Sequence, residues 1–180
     1  STYQVIVVGA GHAGIEAALA SSRVGARTLL LTNNGDRIGY MSCNPSIGGL
    51  GKGHIVKEID VLGGEMGAAA DASCIQFKKL NASKGPAVRG TRMQCDKDIY
   101  SSYMSQFVRQ QNNLDVKTGE VERLLFLGEK CVGVQLIDGQ KIHSQSVVIS
   151  TGTFMNAVMH FGLNKVAGGR VGDKATYGLS

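Results

Sequence analysis

Short apolar runs and one amphipathic pattern alternate over the first part of the chain. Residues 5–8 are a β-branched run that ends at Gly9, which is typical of a buried parallel strand. Residues 13–24 follow with apolar side chains on one helical face, and Gly25 ends that pattern. Residues 28–31 are a second apolar run. Together they predict a βαβ unit with parallel strands and a right-handed crossover.

Two further helices are predicted after a long stretch without periodicity. Residues 33–53 follow neither a helical nor a strand period and predict a long loop, which in a compact domain is usually functional or disordered. Residues 55–62 predict a helix that ends at Gly63-Gly64. The apolar side chains between Tyr100 and Val108 have the spacing of an amphipathic helix, which favours a stripe facing the core.

The last third of the chain predicts strands. Asp138-Gly139 is a strong hairpin signal between two of them. The predicted strands are residues 114–117, 121–127, 131–137, 140–143 and 147–150. No linker or repeat divides the sequence. The pattern therefore predicts an α/β fold, Rossmann-like, with an antiparallel β excursion and a single domain over residues 1–180.

Composition excludes several classes of protein. The 25 glycines among 180 residues cluster without a fixed period, which excludes a collagen-like chain. No apolar run approaches the roughly 20 residues of a membrane span, so we expect no membrane association. The 4 cysteines form no CxxC pair, which argues against a zinc site or a disulfide framework and favours a reducing compartment.

A dinucleotide-binding pattern, G-x-G-x-x-G, lies between the first predicted strand and helix. It reads Gly9-Ala10-Gly11-His12-Ala13-Gly14. In this pattern the first glycine permits a tight turn, the second lets a pyrophosphate approach the backbone, and the third allows close packing of helix on strand. We expect backbone amides of this turn, that of His12 included, to hold a diphosphate at the positive end of the helix.

The ribose side of such a site departs from the usual pattern. An acidic residue is expected about 20 residues after the glycines, at the end of the second strand. Thr32, Asn33 and Asn34 lie there instead. We predict a cofactor contact at Asn33, whose amide hydrogen-bonds a ribose more weakly than a carboxylate does.

Residues 42–54 combine glycines with a thiol, an ammonium and an imidazole. They do not form a P-loop, because Ser46 replaces its first glycine and Gly53 replaces its Mg²⁺-binding hydroxyl. Cys43 is the candidate nucleophile, since the loop also carries cations of the kind that lower a thiol's pKa. The alternative is a small buried side chain, the usual fate of a free cysteine. The other three cysteines are expected to be structural.

A basic stretch is the clearest feature of the charge distribution. Between Lys78 and Lys97 there are six Lys or Arg residues and one acid, Asp96, in a chain of formal net charge +5. Such a stretch fits either a solvated basic face or a surface for phosphate or nucleic acid. The sequence alone leaves both open.

Six motifs carry a resemblance to a known family. They are GAGHAGIEAA at 9–18, SCNPSIGG at 42–49, GKGH at 51–54, NASKGPAVR at 81–89, TGTF at 151–154 and GGR at 168–170. In this order they resemble the glucose-inhibited division protein A family, the FAD-dependent tRNA uridine 5-carboxymethylaminomethyl modification enzymes. The resemblance spans the whole chain.

The resemblance implies an FAD-binding domain of the glutathione-reductase type, here as the amino-terminal portion of a longer chain. The FAD pyrophosphate would lie on residues 9–14. Further cofactor contacts would fall at Val121, Thr176 and Gly152. Lys84, Arg89 and Arg92 would contact flavin or tRNA phosphate.

The resemblance also implies an activity. In the family, NADH reduces the flavin and methylenetetrahydrofolate supplies a carbon. A carboxymethylaminomethyl or aminomethyl group is then built at C5 of the wobble uridine of tRNA, together with a partner GTPase. Cys43 would add to the pyrimidine ring. We expect a cytoplasmic homodimer. A small-molecule FAD/NAD(P)H oxidoreductase and a non-catalytic nucleotide-binding fragment stay open as alternatives.

Overall fold

The computed structural model describes residues 2–41, 44–153, 155–168 and 179. Its helices are α1 (His12–Arg23), α2 (Lys52–Val61), α3 (Met66–Ala72) and α4 (Lys97–Gln110). Its strands are β1 (Tyr3–Val8), β2 (Thr28–Thr32), β3 (Ser46–Gly48), β4 (Cys74–Leu80), β5 (Gly90–Cys95), β6 (Leu114–Thr118), β7 (Val121–Leu127), β8 (Lys130–Leu136), β9 (Lys141–Ile149), β10 (Val158–Phe161) and β11 (Asn164–Ala167).

The chain divides into two compact units. Unit 1 combines Ser1–Gly35 with Asn112–Ser180, and unit 2 is Asp36–Gln111. Whether both belong to one cofactor-binding domain stays a prediction. None of the described helices is long and apolar enough to cross a membrane.

Unit 1 is built on a six-stranded sheet in the order β6-β2-β1-β9-β8-β7. The first four strands of that order are parallel, whereas β8 pairs antiparallel with both β7 and β9. The predicted βαβ unit and antiparallel excursion are therefore confirmed. The predicted hairpin turn is present too, with Gly139 at φ +85° and the Gln140 N–H donating to Asp138 Oδ1 over 2.9 Å.

The centre of this sheet is buried on both faces. All five residues of β2 are buried, and Leu29 and Leu31 join a core cluster that includes residues of β1, β7, β8 and β9. On the helical side, the predicted face of α1, including Ile15 and Leu19, is buried. Burying one such side chain contributes about 1.5–3 kcal/mol, so these positions hold the βαβ unit in place.

The predicted break between the strands 140–143 and 147–150 is wrong, because one strand, β9, runs without interruption over Lys141–Ile149. Its first residues pair with β8, down to His143 opposite Gly133. From Ser144 onward it pairs with β1, where Ser144 is opposite Tyr3. The polar residues that suggested a gap mark the point where the strand changes partner, and Ser144 is buried there with its hydroxyl donating to Ser146 O.

Unit 2 has a three-stranded antiparallel sheet in the order β3-β5-β4 and the helices α2, α3 and α4. The α4 stripe is confirmed, since Tyr100, Met104 and Val108 are fully buried. The Asp96 side chain caps α4 by accepting from the backbone N–H groups of residues 98 and 99. Within the predicted loop 33–53 the structure has β3 and the start of α2, so that prediction was wrong in part.

Candidate functional site

The carboxyl ends of four parallel strands of unit 1 meet at one edge of its sheet. β1 lies between β2 and β9 and pairs in parallel with both. The chain passes from β1 through α1 to β2 on one side, and β9 returns on the other. Open α/β sheets bind ligands beside the carboxyl ends of strands where the order reverses in this way. The candidate site is therefore at the end of β1.

Gly9 ends β1 in a conformation that requires glycine. Its φ is +106°, and a Cβ atom there would lie 2.5 Å from the carbonyl oxygen of Ser150. The Gly9 N–H donates to Leu31 O over 2.8 Å, which fixes the turn to β2. Any side chain at this position would both strain the backbone and collide with the end of β9.

Gly14 and Gly11 differ in what surrounds them. Gly14 is buried, and a Cβ there would lie 2.5 Å from Ser150 Oγ and closer still to Gly9 O, so packing of α1 on the turn requires a glycine. Gly11 has φ −77°, which any residue adopts, and no atom of the described residues lies within 4 Å of where its Cβ would be. Among the described residues nothing obstructs a side chain at position 11, so a glycine there leaves space for the close approach of a ligand.

The start of α1 has the electrostatic character of an anion site. Gly11 is its N-cap and provides no side-chain cap, and the first turn has no acidic residue. Helix N-terminal amides with these features attract phosphate. Ala10 is buried, Ala13 is exposed and His12 is the partly buried first residue of the helix. A diphosphate fits this turn, and the role of each amide stays a prediction.

Asn33 lies at the same edge, directly after β2. It is exposed, whereas the neighbouring Thr32 is buried and its hydroxyl donates to Asn34 O over 3.1 Å. The Thr32 hydroxyl is thus used within the turn. Of the two side chains, that of Asn33 is the one presented to solvent.

Val121 and Gly152 also lie at this edge. The segment before Val121 is attached to β2, because the Gly119 N–H donates to Thr32 O over 2.8 Å. The Val121 side chain is buried in the core cluster, so its backbone is the part that a cofactor can contact. Gly152 is exposed at φ +63° in the turn that follows β9 and Ser150. The structure thus brings most of the predicted cofactor residues of unit 1 to one edge.

Two predicted site residues, Cys43 and Thr176, lie outside the described residues. Ser150 was missed as a site residue although it contacts both essential glycines. Its only sequence signal is its position between a predicted strand and the TGTF motif.

The predicted nucleic-acid residues lie on one element of unit 2. We call β4, β5 and residues 81–89 between them the basic hairpin. Residues 81–89 are all exposed, with a short 3-10 turn at Pro86–Val88. The loop holds its shape internally, because Arg89 Nε donates to Lys84 O over 2.9 Å and Asn81 Nδ2 donates to Val88 O over 3.1 Å.

Arg92 lies on β5 directly opposite Lys78 of β4. Like charges opposite each other on paired strands are unfavourable unless an anion lies between or near them. The Arg92 guanidinium also donates over 3.4 Å to Oδ1 of Asn44, which is the residue after Cys43 in the sequence. Lys78 belongs to the basic stretch of the sequence, but only the strand register shows that it lies opposite Arg92.

The described residues contain no group of three or more His, Cys, Asp or Glu side chains placed to hold a metal ion.

Comparison with known proteins gives consistent matches. A family model described as Glucose inhibited division protein A matches residues 4–180. The tRNA uridine 5-carboxymethylaminomethyl modification enzyme MnmG of Bdellovibrio bacteriovorus is 64% identical over 178 residues, which are 99% of this chain and 28% of that protein. The enzyme of the same name from Syntrophotalea carbinolica is 55% identical over 99% of this chain and 29% of its own length.

Among solved structures, that of Aquifex aeolicus GidA in the form II crystal has a TM-score of 0.95 and 48% sequence identity. The match covers 99% of this chain and 30% of that chain. The chain thus spans less than a third of the length of the curated relatives it matches.

Proposed function

This chain belongs to the Glucose inhibited division protein A family, and on that premise we propose that it is the FAD-binding part of an enzyme that modifies the wobble uridine of tRNA. The reaction builds a carboxymethylaminomethyl or aminomethyl group at C5. Two relatives, at 64% and 55% identity, are tRNA uridine 5-carboxymethylaminomethyl modification enzymes by name, which supports this substrate. This chain matches less than a third of their length, so the activity of the whole enzyme is a proposal here.

The observation that carries the cofactor proposal is the open space at Gly11. The turn needs glycine at positions 9 and 14 for its own packing, and it has a third glycine, Gly11, at which no described residue would obstruct a side chain. That glycine caps a helix with no acidic residue in its first turn, at the switch point of a parallel sheet. A diphosphate-containing cofactor is the ligand that suits this combination.

FAD, when bound, supplies hydride acceptance and donation. In this proposal the amides of residues 9–14 bind its diphosphate and Asn33 hydrogen-bonds its ribose. Val121, through its backbone, Gly152 and Thr176 are further contacts to the cofactor. NADH is proposed as the reductant and methylenetetrahydrofolate as the carbon donor.

The basic hairpin is proposed as a contact surface for tRNA phosphates. Its loop presents Lys84 and Arg89 to solvent. Arg92, opposite Lys78, adds a second cation pair on the strands. Phosphate contacts of this kind supply salt-dependent affinity and position the nucleic acid, but they do not read its sequence.

Cys43 is proposed as the nucleophile of the tRNA reaction. Addition of its thiolate to the pyrimidine ring would activate the neighbouring carbon toward one-carbon attack. The complete enzyme is proposed to work as a cytoplasmic homodimer with a GTPase partner.

The decisive experiment uses the natural full-length chain that carries this sequence. The protein is purified, its flavin is identified, and tRNA modification is assayed with NADH and methylenetetrahydrofolate for the wild type and for Cys43→Ala. Cys131→Ala is the matched control, since Cys131 is a partly buried strand residue of unit 1. We expect Cys43→Ala to keep FAD and lose modification, and Cys131→Ala to keep both.

Three outcomes would count against the proposal. Unchanged modification by Cys43→Ala would remove Cys43 as the nucleophile. NADH oxidation with bound FAD but no effect on tRNA would favour a small-molecule oxidoreductase. Nucleotide binding without turnover would favour a binding module.

A further inference from the structure

Two cysteines that the proposed reaction does not use lie directly opposite each other in unit 2. Cys74 is the first residue of β4, and Cys95 is the last residue of β5. The antiparallel register pairs them. Directly opposed residues on paired strands project their side chains to the same face of the sheet.

The backbone hydrogen bonds around the two cysteines show whether they form a hydrogen-bonded or a non-hydrogen-bonded pair of the antiparallel sheet. The Cys95 N–H donates to Pro45 O over 2.8 Å, away from β4, and the next N–H, that of Asp96, donates to Ser73 O over 2.8 Å. Cys74 and Cys95 are therefore a non-hydrogen-bonded antiparallel pair. In such pairs the Cα atoms are about 4.5 Å apart and the side chains are at their closest. That spacing lies within the range of about 4.4–6.8 Å found for disulfides, near its short end.

The two thiols differ in access to solvent. Cys74 is exposed, whereas Cys95 is completely buried with its sulfur close to Ala70 O and Met93 O. Burial raises the pKa of the Cys95 thiol, and the nearby Cys74 contributes to the rise. An oxidant from solvent therefore meets Cys74 first, and Cys95 is placed to react only with a neighbour.

We propose that Cys74 and Cys95 form a dithiol that is reversibly oxidised to a cross-strand disulfide, with Cys74 as the attacking thiol and Cys95 as the resolving thiol. The oxidant is a low-molecular-weight disulfide. This site is independent of the proposed tRNA chemistry and of Cys43.

The exchange balances in two steps. The Cys74 thiolate attacks the small disulfide, which forms a mixed disulfide on Cys74 and releases one small thiolate. The Cys95 sulfur attacks the Cys74 sulfur, and the second small thiolate leaves and takes up the Cys95 proton. The protein loses two electrons and two protons, and the small disulfide is reduced to two thiols.

The bond would close the basic hairpin at its base. Residues 75–94 lie between the two cysteines, and they include Lys84 and Arg89 at the tip. A cross-link there limits how far β4 separates from β5. β4 has six exposed residues and lies at the edge of its sheet, where β5 is its only partner strand among the described residues. Oxidation would therefore slow hydrogen exchange of the β4 amides that bond to β5.

The test uses the natural full-length chain, incubated with glutathione disulfide, alkylated with iodoacetamide in denaturant and digested with trypsin. We expect the peptide 58–78, which contains Cys74, to be linked to the peptide 93–97, which contains Cys95, with loss of two hydrogens from the summed mass. Dithiothreitol should restore both alkylated peptides. Cys74→Ser should abolish the link, and Cys131→Ser should form it as the wild type does.

A second variant tests the order of the two thiols. In Cys95→Ala the resolving thiol is absent, so we expect glutathione to remain on Cys74. Because Cys95 is buried, circular dichroism must first show that this variant is folded, and Cys74→Ser tests the link independently. Wild-type protein in which Cys74 carries glutathione while Cys95 is alkylated would overturn the proposal. The proposal would also be overturned if glutathione modified Cys74 in the Cys95→Ala variant while the wild type kept both thiols free for alkylation.

Discussion

The hydroxyl of Ser150 donates to the carbonyl oxygen of Gly9 over 3.2 Å and to that of Val8 over 3.0 Å. One side chain at the end of β9 thus holds the last residues of β1 at the point where the strand order reverses. The Ser150 hydroxyl oxygen also lies 2.5 Å from where a Cβ atom on Gly14 would be. Ser150 therefore fixes the shape of the glycine turn from outside it.

Replacing Ser150 by Ala should loosen this turn. We expect the free energy of unfolding to fall by about 0.5–1.5 kcal/mol, the net value of a typical hydrogen bond, and FAD affinity to fall with it. Urea unfolding and a flavin titration measure the two effects. Ser144→Ala is the control, because it also removes a β9 hydroxyl bond, that to Ser146 O, from a position beside the start of β1. An equal loss of FAD affinity in both variants would contradict a specific role for Ser150.

Tyr3 makes the stability of unit 1 depend on pH. Its hydroxyl donates to Asp115 Oδ2 over 2.9 Å, and its pKa is raised, chiefly by burial and then by the hydrogen bond and charge of Asp115. The neutral phenol is thus favoured in the folded state. Its contribution is complete below the unfolded pKa of about 10 and is lost as pH rises through the higher folded value.

Tyr3→Phe should therefore show a shallower fall in the free energy of unfolding above pH 10 than the wild type. Urea unfolding over a series of pH values gives the two slopes. Other groups titrate in the same range in both proteins, so the difference between the slopes isolates Tyr3. Identical slopes would show that Tyr3 has the same pKa in the folded and unfolded chain.

Lys84 should contribute one phosphate contact to tRNA binding. Lys84→Gln in the full-length protein is expected to weaken binding and to reduce the slope of log K against log salt by about 1. Lys57→Gln is the control, because Lys57 is an exposed cation of unit 2 on α2, outside the basic hairpin. Arg89 is a poorer first choice, since it also supports the loop through Lys84 O. An unchanged slope for Lys84→Gln, or an equal drop for Lys57→Gln, would refute this surface.

The βαβ unit was predictable because its signals are local. A buried run, an amphipathic face and Gly25 each act within a few residues, and Gly25 does adopt a positive φ of +91°. The unpredicted strands depend on distant partners. β4 has six exposed residues and no apolar alternation, and it is a strand because β5 pairs with it.

The candidate site was likewise predictable only where its signals are local in sequence. The glycine turn can be recognised from the spacing of its glycines. Ser150, in contrast, contacts Gly9 only because β9 pairs with β1, which is far away in the sequence. The pairing of Lys78 with Arg92, and of Cys74 with Cys95, follows from a register that includes an irregularity between Cys74 and Gln76. No sequence pattern fixes such a register.

In the proposed function, the glycine at position 11 serves the close approach of the FAD diphosphate to the backbone, whereas Gly14 serves the packing of α1 on the turn. Gly14→Ala, by contrast, should destabilise the protein by about 1–3 kcal/mol or more, because its methyl group meets backbone. Gly85→Ala is the matched control for Gly11→Ala, since it too has a negative φ and no atom within 4 Å of the added carbon.

Two measurements on Gly11→Ala in the full-length protein test this role: urea unfolding without flavin gives the free energy of unfolding, and an FAD titration gives the affinity for the cofactor. We predict a free energy of unfolding lower than that of the wild type by about 1 kcal/mol or less, the cost of alanine in place of glycine at an N-cap. Because loss of one hydrogen bond to a charged phosphate costs about 1.5–3 kcal/mol, we predict FAD binding weaker by about ten- to a hundredfold. Gly85→Ala should match the wild type in both. Wild-type FAD affinity in a folded Gly11→Ala protein would contradict the account.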